Sequence, residues 1–116
     1  MVVKNSSKYI PDRGDLVWMT FEPALGHEQK GKRPALVISP KSYNAKSGLL
    51  LACPVTSISK GYPFEVPVES SKIKGVILAD HIRSLDWSAR SVKKSCKVPS
   101  KVLLQVQNLL QTLLSS

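Results

Sequence analysis

Between Leu16 and Leu85 the apolar residues come in short runs. None is longer than Leu49 to Val55, and each is closed by proline, glycine or a polar turn segment. A stretch punctuated in this way builds short strands, not long helices. Helical periodicity enters after Pro99, where Val102, Val106, Leu109 and Leu113 form one stripe. Leu103, Leu110 and Leu114 widen it, and Gln105, Gln107, Asn108 and Gln111 lie elsewhere on the helix. The expectation is a mostly β fold, a small barrel or sandwich, ended by an amphipathic helix over 99–114 whose stripe packs on the chain's own sheet.

At 116 residues the chain is of single-domain length, and 42% hydrophobic with 22% charged residues is a globular balance. Residues 1–116 are read as one domain, with 1–8 as a flexible N-terminal arm. Asp12-Arg13-Gly14-Asp15 is turn chemistry before a first strand from Leu16 to Phe21. Glu22 to Lys32, with Pro23, Gly26 and Gly31, reads as a long hairpin loop. Pro34 to Ser39 is a second strand, with Pro34 at its first position because it has no N–H for a ladder. Residues 39–44 read as a turn or one helical turn before Gly48. Leu49 to Val55 is a third strand whose pairing stops, or meets an edge, at Pro54. Phe64 to Val68 follows, and then a strand opening at Gly75 and running through to Leu85.

Charge narrows the partners. Seventeen Lys and Arg against eight Asp and Glu give +9, and residues 87–116 hold Arg90, Lys93, Lys94, Lys97 and Lys101 with no acid. Attraction to polyanions is the physical default for such a surface. Cys53 lies within an apolar run and Cys96 is far from it in sequence, so neither a disulfide framework nor a zinc site is expected, and no metal or other cofactor. The N-terminus lacks an apolar stretch of signal-peptide length, and no run is long enough to cross a bilayer. A reducing, cytoplasmic setting is the expectation.

Three polar clusters stand at strand ends. The first is Gly26-His27-Glu28-Gln29-Lys30-Gly31-Lys32-Arg33-Pro34, where the residue before proline is held extended and Arg33 leaves the loop in a defined direction. The second is Thr56-Ser57 with the loop carrying Lys60 and Tyr62. The third is Asp80-His81-Ile82-Arg83, where strand alternation places Asp80 with Val76, Leu78 and Ile82, and His81 with Arg83 on the other face. Each has a plainer use: a solvated hairpin, a capped turn, a structural ion pair. The residues alone leave both uses open. An arginine fork and a hydroxyl suit the extra charge that develops when an RNA 2′-OH attacks the adjacent phosphorus, a reaction that needs no metal. His27 titrates in the range useful for proton transfer. Tyr62 and Phe64 are candidates to stack on splayed bases, although Phe64 also suits the core.

Taken in order, Pro11-Asp12-Arg13-Gly14-Asp15-Leu16-Val17-Trp18, Gly26-His27-Glu28-Gln29, Lys32-Arg33-Pro34-Ala35-Leu36-Val37, Pro54-Val55-Thr56-Ser57, Gly61-Tyr62-Pro63-Phe64-Glu65-Val66 and Ala79-Asp80-His81-Ile82-Arg83-Ser84 resemble the MazF/PemK-type toxins of bacterial toxin–antitoxin systems. The resemblance implies an SH3-like small barrel with a C-terminal helix. It implies a homodimer acting as a metal-independent endoribonuclease on single-stranded RNA, leaving 2′,3′-cyclic phosphate and 5′-OH ends, and silenced by a MazE-like acidic antitoxin. It makes Arg33 and Thr56 the catalytic pair and adds Glu28, His27 and Asp80 to the site. Lys32, Ser57, Lys60, Tyr62, His81, Arg83 and Arg90 are the expected RNA contacts. The chain departs from PemK-like members at Leu78, where they carry arginine, and at His81, where glutamine is common. Two other functions fit a basic SH3-like domain: a non-enzymatic toxin that binds DNA gyrase, as the CcdB toxins do, and an RNA-binding module without catalysis.

Overall fold

The computed structural model describes residues 8–21 and 31–115. Seven strands, β1 (Asp15–Thr20), β2 (Lys32–Val37), β3 (Leu49–Thr56), β4 (Glu65–Glu69), β5 (Lys74–Leu78), β6 (Arg83–Asp86) and β7 (Lys93–Lys97), join two helices, α1 (Lys41–Ser47) and α2 (Ser100–Leu114). The strands run β4-β5-β3-β2-β1-β7, with β6 also paired to β3, in one antiparallel sheet that curls into a half-barrel. This is the mostly β fold with a closing helix that the sequence pattern demands.

β3 organises the sheet. One edge meets β2, from Ala35↔Pro54 to Val37↔Ala52. The other edge meets β6 over Leu49–Ala52, is unpaired at Cys53 and Pro54, and meets β5 at Val55 and Thr56. A residue with no N–H fits the strand at that gap, as the sequence had suggested for Pro54. Pro34 is not the first residue of β2. It is the third, opposite Trp18, one position before the ladder with β3 begins.

Alternation along β1, β2 and β3 feeds two apolar clusters. Leu16, Leu36, Cys53 and Val55 join Val66, Ile77 and the α2 residues Val106 and Leu110 on one side. Val17, Met19, Ala35, Val37, Leu50 and Ala52 join Phe21, Leu85 and Trp87 on the other. Because both sides are covered, β3 is apolar throughout its first half instead of alternating with polar residues.

Three expectations change. The strand expected to run through to Leu85 is broken: β5 ends at Leu78, a 3-10 turn takes Ala79–His81, and β6 starts at Arg83. The reason is topological. β5 pairs with the end of β3 and β6 with its beginning, so the chain must step across the gap, and Cys53 Sγ meets the Ala79 carbonyl there at 3.7 Å. The alternation proposed for Asp80 and His81 therefore lapses, and both side chains face solvent. Residues 41–47 form two helical turns, not one, closed by Gly48 at φ +75°. Lys93–Lys97 is a strand that the apolar pattern does not announce. It is the sheet edge on β1, and its lysines suit a strand that must not pair further.

α2 begins behind Pro99 as N-cap, with Ser100 as its first residue. Its stripe covers the sheet as expected through Val106 and Leu110, but Leu113 and Leu114 in the last turn are 49% and 85% exposed.

A charged corner ties the ends of the chain to β1. Asp15, almost fully buried, accepts from the Tyr9 hydroxyl and from the Asp12 N–H at 3.1 Å, and meets Lys97 at 3.1 Å and Lys94 at 3.7 Å. Burial and then the hydrogen bond to Asp15 push the Tyr9 phenol well above its ordinary pKa, so it stays protonated as the donor. Removing Asp15 orphans two donors, while both lysines can rehydrate. Asp15→Ala should therefore cost about 2–3 kcal/mol. Urea unfolding of the variant and the parent measures this, and a loss below ~0.5 kcal/mol would show the corner to be incidental.

Candidate active site

The site begins where β2 and β3 diverge. The β2–β3 ladder ends at Ala35↔Pro54, and two residues further along each strand stand Arg33 and Thr56. Both lie on the strand face of Ala35 and Ala52, since residues two apart share a face and antiparallel partners share it too. Arg33 is exposed, opposite Met19 of β1. Thr56 is half-buried, and its hydroxyl oxygen accepts the Ile58 N–H at 3.2 Å. The capped turn expected as a plain use is thus real. It does not exhaust the hydroxyl, whose own proton remains free to be donated.

Gly75 decides where Thr56 sits. A Cβ at Gly75 would lie 2.1 Å from the Thr56 carbonyl oxygen and 3.1 Å from the Ser57 Cα, so β5 approaches this turn only because residue 75 has no side chain. The sequence marks the position as a glycine opening a strand, and only the approach of the two backbones reveals its purpose.

Beyond Thr56, Ser57, Lys60 and Tyr62 are exposed on the loop to β4, Tyr62 by 62%. Phe64, at the end of that loop, is half-buried. Glu65, absent from the sequence-derived site, holds this loop. Its carboxylate accepts from the Ser59 hydroxyl at 2.8 Å, the Lys60 N–H at 3.0 Å and the Gly61 N–H at 3.1 Å. The Lys60 amide first, and then the Ser59 hydroxyl, hold it below its ordinary pKa.

The other expected residues divide. Arg83, opposite Ala52 on the same strand face as Arg33 and Thr56, lies over the Phe21 ring at 5.5 Å. Lys32 donates to the Ser91 hydroxyl at 3.2 Å. Arg90 turns inward, and one guanidinium nitrogen donates to the carbonyls of Thr20 at 2.9 Å and Phe21 at 3.0 Å, fixing the end of β1. Asp80 and His81, 4.0 Å apart, sit exposed on the 3-10 turn between β5 and β6. Asp80 lines a groove of about 550 Å³ with Ile38, Leu51, Ile82 and the α2 residues Leu110 and Leu114, on the α2 side of β3. His27 and Glu28 lie outside the described residues. Among the described residues no three His, Cys, Asp or Glu side chains gather as a metal site.

Residues 12–114 match the family described as the PemK-like, MazF-like toxin of type II toxin-antitoxin systems. The chain belongs to this MazF-like toxin family. Among its relatives is the endoribonuclease toxin MazF of Escherichia coli K12, 48% identical over 99 residues that span 84% of this chain and 89% of that protein. The Escherichia coli endoribonuclease PemK is 32% identical over 90% of this chain and 82% of its own length. In structure the chain is similar to crystalline MazF from Deinococcus radiodurans, with a TM-score of 0.83, 52% identity, and coverage of 94% of this chain and all of that one. It superposes equally well, with a TM-score of 0.83 and 48% identity, on a MazE-MazF crystal structure from the same organism, over 93% of this chain and 98% of that one. The barrel-like sheet and closing helix are therefore the MazF-like fold.

The close approach at residue 75 gives a direct test of how Thr56 is held. Gly75→Ala should lower stability by about 1–3 kcal/mol, as an overpacked site does. Its amide NMR spectrum should change most over residues 56–58, leaving β1 and β7 near their parent positions. A spectrum unchanged at Thr56 would contradict the role of this glycine.

Proposed function

We infer that this chain is an endoribonuclease toxin that cuts single-stranded RNA as a homodimer and is silenced by an acidic antitoxin. What supports this reading is an exposed arginine on β2 and a threonine hydroxyl on β3 that share one strand face, in a chain 48% identical to an endoribonuclease toxin over most of its length. Because mRNA is the expected substrate, the toxin works in the cytoplasm. Among the described residues no helix is long and apolar enough to cross a membrane.

In this reading the RNA supplies its own nucleophile. The 2′-OH attacks the adjacent phosphorus, the bond to the 5′-oxygen breaks, and a 2′,3′-cyclic phosphate and a free 5′-OH result without a metal. Arg33 offers a forked, permanently charged donor to the non-bridging oxygens, and Thr56 adds its hydroxyl proton from a side chain already fixed by Ile58. Proton transfer is assigned to His27 and Glu28, six and five residues before Arg33 in sequence. Asp80 is set aside for that role because it lies on the 3-10 turn beside the groove under α2. Lys32, Ser57, Lys60 and Arg83 take neighbouring phosphates, and Tyr62 offers an exposed ring to a base. Arg90 serves the site by fixing the end of β1, and His81 lies beside Asp80.

The charge layout supports an RNA ligand. Asp12, Asp15, Glu65 and Asp86 are each engaged by local donors or lysines, so much of the negative charge among the described residues is spent inside the molecule. Exposed cations such as Arg33, Lys60 and Arg83 attract RNA and an acidic antitoxin segment alike. The MazE-MazF crystal structures of a relative support an antitoxin as the second partner.

Purified chain incubated with end-labelled single-stranded RNA in EDTA should produce discrete fragments with cyclic phosphate ends. Arg33→Ala should slow cleavage about a hundred- to a thousandfold, the usual loss for a transition-state charge contact, and weaken RNA binding far less. Intact RNA, or cleavage unaffected by Arg33→Ala, would overturn the proposal. Gyrase inhibition with uncut RNA would point to the non-enzymatic reading.

A further inference from the structure

Residues 57–64 carry Ser57, Lys60 and Tyr62 past Thr56, and a solvent-exposed loop of this length with a left-handed glycine, Gly61 at φ +73°, has many conformations open to it. One side chain fixes it. The two carboxylate oxygens of Glu65 receive three donors from three consecutive residues: Ser59 Oγ and the Gly61 N–H on Oε1, and the Lys60 N–H on Oε2. Glu65 is itself anchored. It opens β4 opposite Leu78 of β5, its N–H donates to the Tyr62 carbonyl at 3.2 Å, and the neighbouring Phe64 carbonyl accepts the Ala79 N–H at 3.0 Å. At the other end, Thr56 holds Ile58. The loop is therefore a closed ring of hydrogen bonds between the catalytic threonine and the β4–β5 hairpin.

The Lys60 and Gly61 N–H groups, side by side at a turn, form the kind of concave donor pair that takes up an anion. Here the anion is internal. A ring closed in this way presents Lys60 and Tyr62 in one arrangement and keeps those amides from competing for RNA phosphate.

We propose that Glu65 is a positioning residue for RNA, the carboxylate that pre-forms the loop carrying Lys60 and Tyr62 beside Thr56. This rests on the RNA-cleaving function proposed above. It also predicts a sign opposite to simple electrostatics. Deleting a carboxylate from an RNA-binding surface ordinarily tightens RNA binding. Deleting this one should weaken it, because the loop must then be ordered at the moment of binding.

The test compares the parent chain with Glu65→Ala and Glu65→Gln, using a labelled single-stranded RNA that the parent cuts. In Glu65→Ala the Lys60 and Gly61 amides should exchange with solvent about tenfold faster, while the thermal midpoint stays near that of the parent. KM for RNA should rise about tenfold with kcat held to within about twofold. Glu65→Gln, equally uncharged but still able to accept at its amide oxygen, should fall between the two. Unchanged amide exchange would overturn the clamp. Unchanged or tighter KM in Glu65→Ala, or a fall in kcat with KM constant, would overturn the positioning role. If the parent cuts no RNA, the function on which this proposal rests fails with it, and amide exchange then shows separately whether the carboxylate holds the loop. Should Glu65→Ala not fold, Glu65→Gln alone carries the same comparison.

Discussion

Everything at the candidate active site depends on the way β3 shares its edges. It keeps β2 on one side and changes partner on the other, from β6 to β5, across the two residues Cys53 and Pro54. An antiparallel register moves by whole residues, and a slip of one would turn every side chain to the opposite face. Two apolar clusters, one on each side, lock that register. Arg33 and Thr56 therefore stand on one face just past the end of that ladder, each on a strand and not on an independent loop. A constellation mounted on strands holds its geometry better than one mounted on loops, which is what a charge-stabilising pair requires.

The same economy governs the charges. A chain of +9 has only eight acids, and several are committed to local partners. Asp15 is buried with Tyr9 and two lysines, Asp86 caps the 3-10 turn at Trp87–Ala89, and Glu65 closes a loop. Each of these carboxylates organises backbone or lysines locally, and Arg33, Lys60 and Arg83 are left exposed. Fold and polyanion affinity come from one distribution of residues.

Much of this was legible in the sequence, and the misses have physical causes. Short apolar runs bounded by proline and glycine gave the strands β1 to β5 nearly in place, and the leucine stripe gave α2. Alternation failed at Asp80 because a period-two pattern cannot register that the sheet curls and that the chain must step across a gap in β3. β7 escaped because an edge strand guarded by lysines looks like a solvated charge run. Arg33 and Thr56 were visible as residue types at strand ends, whereas their shared strand face is a matter of register. Gly75 and Glu65 had almost no signal: one matters for a side chain it lacks, the other for hydrogen bonds to residues four to six positions earlier. Arg90, read as an RNA contact, is held by backbone carbonyls that no spacing rule identifies.

In the proposed mechanism Arg33 and Thr56 act on the same phosphate. A double-mutant cycle on single-turnover RNA cleavage, with Arg33→Ala, Thr56→Ala and the pair, reads this directly. Groups sharing one transition state should be non-additive, with the double variant losing less than the product of the two single losses and a coupling of about 1–3 kcal/mol. Single losses that simply multiply would place the two side chains on separate tasks and contradict the account.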